Sequence, residues 1–72
     1  PSEFPMARLR LGEKAIRAGQ LMDLLLAHAF GLREAEIAAC LGWDRRTVNN
    51  YLRAMEAVRL VYREGRTWHV EA

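Results

Sequence analysis

Two adjacent arginines and two adjacent asparagines lie within the segment LGWDRRTVNNYLRAM, residues 41–55. Apolar or aromatic residues recur at 48, 51, 52 and 55, and this i, i+3, i+4, i+7 spacing predicts a helix with one buried stripe. The opposite face presents five polar side chains, which are Arg45, Arg46, Asn49, Asn50 and Arg53. Arginine can make a bidentate contact with guanine, and asparagine can make one with adenine. This face therefore has the chemistry needed to read base edges.

The asparagines favour a binding face over an ordinary polar surface. Asparagine has poor helix propensity, and a helix that needed only solvation would use Glu, Lys or Gln instead. We expect the base contacts to come from Arg46, Asn49 and Asn50. The expected phosphate contacts come from Arg45 and Arg53. Thr47 has two equal alternatives, which are a local hydrogen bond near the helix start and a phosphate contact.

A second group of arginines lies in RLVYREGRTWHVE, near the C-terminal end. Segments rich in β-branched and aromatic residues flank Gly65 at the distance of a tight hairpin, with either Glu-Gly as a type I′ turn or Gly-Arg as a type II′ turn. Arg66 is nearer the hairpin tip and is expected to contact the DNA backbone or minor groove. Arg63 has either the same role or an ion pair with Glu64 or Glu56.

Two further helices precede these segments. The pattern predicts a first helix over about 13–30, closed by Gly31 as a left-handed cap, and a short second helix that ends at Gly42. Asp44 then occupies the N-cap position of a third helix over about 45–58. The apolar side chains expected to form core beneath the hairpin are Tyr62, Trp68 and Val70. The sequence thus predicts a mainly α domain with a small β-hairpin, the order of a three-helix winged helix-turn-helix.

The second and third helices match the helix-turn-helix motif in register. With Gly42 as the turn glycine, Ala38 lies four residues earlier, where a small side chain lets the helices approach, and Val48 lies six residues later, beneath the turn. The remaining apolar positions of the motif are filled by Ile37, Leu41, Trp43 and Tyr51. Gly42 is expected to need a positive φ or a close helix approach.

The segment AGQLMDLLLAHAFGLREAEIAACLGWDRRTVNNYLRAMEAVRLV resembles the N-terminal winged helix-turn-helix domains of bacterial transcription regulators, such as the IclR, DeoR and WYL-domain families. RRTVNNYLRAME resembles their recognition helix, and the match extends from Lys14 to Val70. The resemblance implies binding of double-stranded DNA, with a recognition helix over about 44–58 in the major groove and a wing over about 60–70. The resemblance by itself does not imply an effector ligand. Such domains often carry a glycine before the first wing strand, where this chain has Arg59.

Composition limits the other function classes. The chain has 72 residues and a net charge of +2, and the surplus lies within residues 44–72. No cofactor or metal site is expected, because two histidines and Cys40 match no common zinc spacing, and Cys40 is expected to be buried. The only serine lies in PSEFP, residues 1–5, which are expected to be a cloning remnant before a domain at 6–72. We expect neither enzymatic activity nor a membrane span, and a cytoplasmic location on the nucleoid.

The alternative function is a winged helix used as a protein-interaction or assembly module without direct DNA reading. Its basis is the first helix, where Leu21, Met22, Leu24, Leu25 and Leu26 spread over about 200°, roughly twice the width of one packed face. A homodimer seam or an adjacent domain is expected to cover the excess. The arginine and asparagine face discriminates between the two functions, because a pure adaptor has no need of it.

Overall fold

The computed structural model describes the backbone of residues 3–71 and the side chains of residues 12–71. Its elements are α1 (Glu3–Leu26), β1 (Leu32–Arg33), α2 (Glu34–Leu41), α3 (Arg45–Ala57), β2 (Val61–Glu64) and β3 (Thr67–Val70). The three helices and the antiparallel β2–β3 hairpin confirm the predicted mainly α, winged helix-turn-helix architecture.

Both ends of α1 differ from the prediction. The helix begins at Glu3, about ten residues earlier than expected, with Pro5 in the first turn, where a missing N–H removes no helical hydrogen bond. The assignment of residues 1–5 to a cloning remnant stays a prediction, and residues 1 and 2 lie outside the described residues. The helix ends at Leu26 and not at Phe30. The chain must turn here, because Leu32 pairs with Trp68 in the sheet.

Ten buried apolar side chains form one core between the helices and the sheet: Leu21, Leu25, Leu32, Ile37, Ala38, Val48, Leu52, Met55, Val61 and Trp68. Met22 and Leu24 of α1 pack partly against it. Of the five apolar side chains that made the α1 face look too wide, only Leu26 is exposed, at 64%. Each large apolar side chain contributes roughly 1.5–3 kcal/mol when buried, so this small core is the main source of stability.

The sheet has three strands in the order β1-β3-β2, and the short strand β1 was not predicted. Gly65 and Arg66 form the two-residue loop, and Gly65 has a φ of 63°. This is the Gly-Arg alternative of a type II′ turn, in which the first loop residue has positive φ. The resulting register pairs Tyr62 with His69 and Val61 with Val70.

The prediction that Tyr62 joins Trp68 in the core is therefore wrong. Because Tyr62 pairs with His69, it lies on the opposite face of the hairpin, where the two rings stack with centroids 5.1 Å apart. Val61 is buried in its place. Cys40 is also exposed, contrary to prediction, because α2 packs through Ile37 and Ala38, and Cys40 lies away from that face.

The turn between α2 and α3 contains the expected left-handed glycine. Gly42 has a φ of 69°, and its N–H donates to the carbonyl of Ala38, as does the N–H of Trp43 at 3.0 Å. A close helix approach is not the reason for the glycine, since a Cβ there would meet no heavy atom within 4 Å. A second left-handed residue follows α3: Arg59 has a φ of 62°, so this arginine adopts the backbone conformation that glycine favours.

Candidate nucleic-acid interface

The exposed face of α3 carries the predicted polar side chains. Val48, Leu52 and Met55 point into the core, as the spacing predicts. Arg46, Asn50 and Arg53 are exposed on the other side of the helix. Their i, i+4, i+7 spacing aligns them along one stripe of about two turns, and this length of helix fits within a major groove.

Arg45 and Asn49 lie at the edge of this stripe, where both contact α2. The side-chain amide of Asn49 is half-buried, and its Nδ2 donates a 2.9 Å hydrogen bond to Oε2 of Glu34. The guanidinium of Arg45 lies 3.6 Å from Oε1 of the same carboxylate, with 69% of the arginine side chain and 22% of the glutamate side chain exposed. The two carboxylate oxygens therefore serve two different residues of α3.

The start of α3 is positioned by its backbone and by packing behind it. Asp44 occupies the N-cap position with extended backbone, and its carbonyl accepts a 3.1 Å hydrogen bond from Val48. Its side chain makes no capping hydrogen bond, in contrast to the expected role. Thr47 is half-buried in the first turn. On the side facing α1, the rings of Trp43 and Tyr51 pack with centroids 5.3 Å apart, which supports the helix from behind.

A cleft of about 300 Å³ separates the hairpin tip from the first turns of α2 and α3. It is lined by Arg33, Glu34, Ala35, Arg45, Arg63, Gly65, Arg66 and Trp68. Four arginines against one glutamate give it a positive lining suited to phosphate groups. The structure thus brings the predicted hairpin arginines next to the predicted start of the recognition helix.

Arg63 adopts neither of the ion pairs considered from the sequence, among the residues that the structure describes. Its guanidinium carbon lies 5.9 Å from the centroid of the Trp68 ring, its cross-strand partner. This cation–π contact holds the side chain along the wall of the cleft. Arg66 in the turn is exposed.

Two charged residues of the cleft, Arg33 and Glu34, were not predicted from the sequence. Both are placed by the pairing of β1 with β3, in which Arg33 lies opposite Thr67. The backbone N–H of Arg33 also donates a 2.8 Å hydrogen bond to Oε1 of Glu36, which fixes the start of α2. A two-residue strand has no periodicity, so no local pattern indicates these positions.

Comparison with known proteins agrees with this architecture. The family model of the IclR helix-turn-helix domain matches residues 15–65. No curated protein and no solved structure gives a significant match. No helix in the described part of the chain is long and apolar enough to cross a membrane. The match covers more than half of the chain, from α1 into the hairpin loop, and this chain belongs to the IclR helix-turn-helix family, the non-enzymatic DNA-binding domains of bacterial transcription regulators.

Proposed function

We propose that this domain recognises a specific sequence in double-stranded DNA and thereby regulates transcription. In this proposal α3 lies in the major groove, and the wing, defined as the β2–β3 hairpin of residues 61–70, contacts the backbone or the minor groove. The observation that carries the proposal is the exposed stripe of Arg46, Asn50 and Arg53 on α3, together with the arginine-lined cleft between the wing and the first turn of the same helix.

The roles of the side chains follow from their surroundings. Arg46 and Asn50 are exposed near the N-terminal end of α3 and are the first candidates for base contacts. Asn49 reads a base from a fixed orientation, because Glu34 already accepts one of its hydrogen bonds. The side chains assigned to phosphates are Arg45, Arg53, Arg63 and Arg66. Thr47 is half-buried, so only the exposed part of its side chain is available for a phosphate contact.

Contacts to base edges and contacts to phosphates can be distinguished by mutation. Asn50→Ala should weaken binding to the preferred duplex by about 1–3 kcal/mol and leave binding to a scrambled duplex nearly unchanged, because only a base-edge contact is lost. Arg66→Ala should weaken binding to both duplexes alike and reduce the slope of log K against log salt by about 0.9, the value for one phosphate contact.

The measurement is a salt titration of each variant on a duplex selected from a random pool and on its scrambled version. Gln20→Ala is the control for Asn50→Ala, because it removes an exposed amide from α1. Arg59→Ala is the control for Arg66→Ala, because it removes the same charge two residues before β2, away from the hairpin loop. If Asn50→Ala lost equal affinity for both duplexes, Asn50 would not be a base-contacting residue. Absence of binding by the parent domain would favour the protein-interaction alternative.

We also propose that the domain self-associates through the end of α1. Leu26 is 64% exposed and Phe30 is 93% exposed, and both lie where α1 turns towards β1. Leu26→Glu should lower the association constant, since it removes a large apolar side chain from the contact and adds a carboxylate that would have to be desolvated there. Sedimentation over a range of protein concentrations checks this, with Ala27→Glu as a neighbouring control that adds the same charge without removing a large apolar side chain. A parent domain that stays monomeric throughout would refute self-association.

A further inference from the structure

Glu34 is an acidic residue in the lining of the cleft beneath the wing, where the other charged lining residues are arginines. Its side chain is 22% exposed, at the first position of α2, and lines the cleft beneath the wing. One carboxylate oxygen accepts from Asn49 at 2.9 Å, and the other lies 3.6 Å from the guanidinium of Arg45. Its partners are 15 and 11 residues away in the sequence, so the contact joins α2 to the start of α3. Two effects on DNA binding follow, and they have opposite signs.

The first effect concerns the orientation of the Asn49 amide. An ionised carboxylate can only accept hydrogen bonds, so the contact fixes the NH₂ group of Asn49, and not its carbonyl oxygen, towards Glu34. One N–H and the carbonyl oxygen remain available. These are one donor and one acceptor, the pair that an asparagine uses to contact adenine. A side-chain amide held in one orientation loses less conformational entropy on binding and presents one hydrogen-bonding pattern.

The second effect concerns charge. A phosphate that enters the cleft approaches the Glu34 carboxylate and competes with it for Arg45. The repulsion is independent of base sequence, so it weakens binding to every duplex. We propose that Glu34 is a positioning residue that sharpens sequence discrimination: it orients Asn49 for one base pair and opposes phosphate binding that no base contact accompanies. This inference rests on the DNA-binding function proposed above.

Two substitutions at one position separate the effects. Glu34→Gln removes the charge and keeps a side chain that can hydrogen-bond to Asn49, but its amide can donate as well as accept and no longer imposes one orientation on Asn49. Glu34→Ala removes both the charge and the contact. Glu34→Gln should raise the affinity for the scrambled duplex by roughly three- to tenfold at low salt, and should lower the ratio of the two affinities by less than Glu34→Ala does, because a hydrogen bond to Asn49 remains possible. Glu34→Ala should raise the affinity for the scrambled duplex similarly but lower the ratio of the two affinities by roughly tenfold. Glu56→Gln, which removes a charge from the far end of α3, is the control and should change both affinities less than twofold.

A double-mutant cycle tests whether Glu34 affects sequence discrimination through Asn49. Asn49→Ala should lower the ratio at least as much as Glu34→Ala does, because it removes the base contact itself. The double variant should lower the ratio no further than Asn49→Ala alone, because Glu34 acts through Asn49. Duplexes substituted one base pair at a time should show the loss at the same position for both single variants. A purely structural role of Glu34 would not confine the loss to one base pair.

The measurement is equilibrium binding of the folded chain to both duplexes, with circular dichroism to establish that each variant retains its helices. An unchanged affinity ratio in Glu34→Ala overturns the positioning role. If Glu34→Gln binds the scrambled duplex more weakly than the parent domain does, the proposal that the Glu34 charge opposes phosphate binding is refuted. A parent domain that binds both duplexes equally would instead refute the proposed function itself, so the two failures are distinguishable.

Discussion

Gly31 is the glycine whose replacement the structure predicts to be most damaging. It connects the turn after α1 to β1, and its φ of 82° lies in the left-handed region. A Cβ at this position would lie 2.5, 2.7 and 2.9 Å from three atoms of the His69 ring. Gly42 has a similar φ of 69° but no heavy atom within 4 Å of its would-be Cβ. Comparing alanine substitutions at Gly31 and Gly42 therefore separates the cost of backbone strain from the cost of steric contact.

The expected loss of stability in each variant follows from these contacts. Left-handed backbone costs an alanine about 1–2 kcal/mol, partly offset by the reduced entropy of the unfolded chain, so Gly42→Ala should destabilise by about 1 kcal/mol. Gly31→Ala must also displace the His69 ring. That movement breaks a 2.8 Å hydrogen bond with Thr67, worth about 1 kcal/mol, and weakens the stack on Tyr62, worth about 0.5 kcal/mol. The expected total for Gly31→Ala is about 2–3 kcal/mol.

Urea denaturation followed by circular dichroism measures both variants, and a thermal melt should show a decrease of about 10–20 °C for Gly31→Ala. In a His69→Ala background the ring is absent, so Gly31→Ala should cost only the strain of about 1 kcal/mol. The coupling energy of the two substitutions is then about 1.5 kcal/mol. If Gly31→Ala and Gly42→Ala destabilise equally, or if the coupling energy is near zero, the steric reasoning is refuted.

Two further predictions concern residues whose environment the sequence did not indicate. Arg59→Gly should stabilise the domain by about 0.5–1 kcal/mol, because it relieves left-handed strain, whereas Val58→Gly, at a φ of −99°, should destabilise it by a similar amount; denaturation midpoints check both, and a loss of stability in Arg59→Gly would contradict the reasoning. Cys40, being exposed, should react with Ellman's reagent in the native protein about as fast as in urea, and strong protection of the thiol would show that it is covered in solution.

The sequence by itself determined the features that depend on neighbouring residues. The buried stripe of α3 follows from helical periodicity, and Val48 and Leu52 are buried where that spacing places them. Gly42 marks the turn because left-handed backbone favours glycine, and Gly65 marks the hairpin for the same reason. These patterns were sufficient for the architecture and for an exposed arginine and asparagine face, because each depends on interactions within a few residues along the chain.

Tertiary structure decided whatever depends on pairing between distant residues. The strand β1 has only two residues and exists through its pairing with β3, and that pairing ends α1 before Phe30. The choice between two adjacent turn positions pairs Tyr62 with His69 and not with Thr67. Either turn puts Tyr62 on the face opposite Trp68, because moving a two-residue loop by one position shifts the pairing by two residues. The hydrogen bond between Glu34 and Asn49 joins two helices across 15 residues. No local pattern encodes such a contact, because it arises only when the packing of the core brings the first turns of α2 and α3 together.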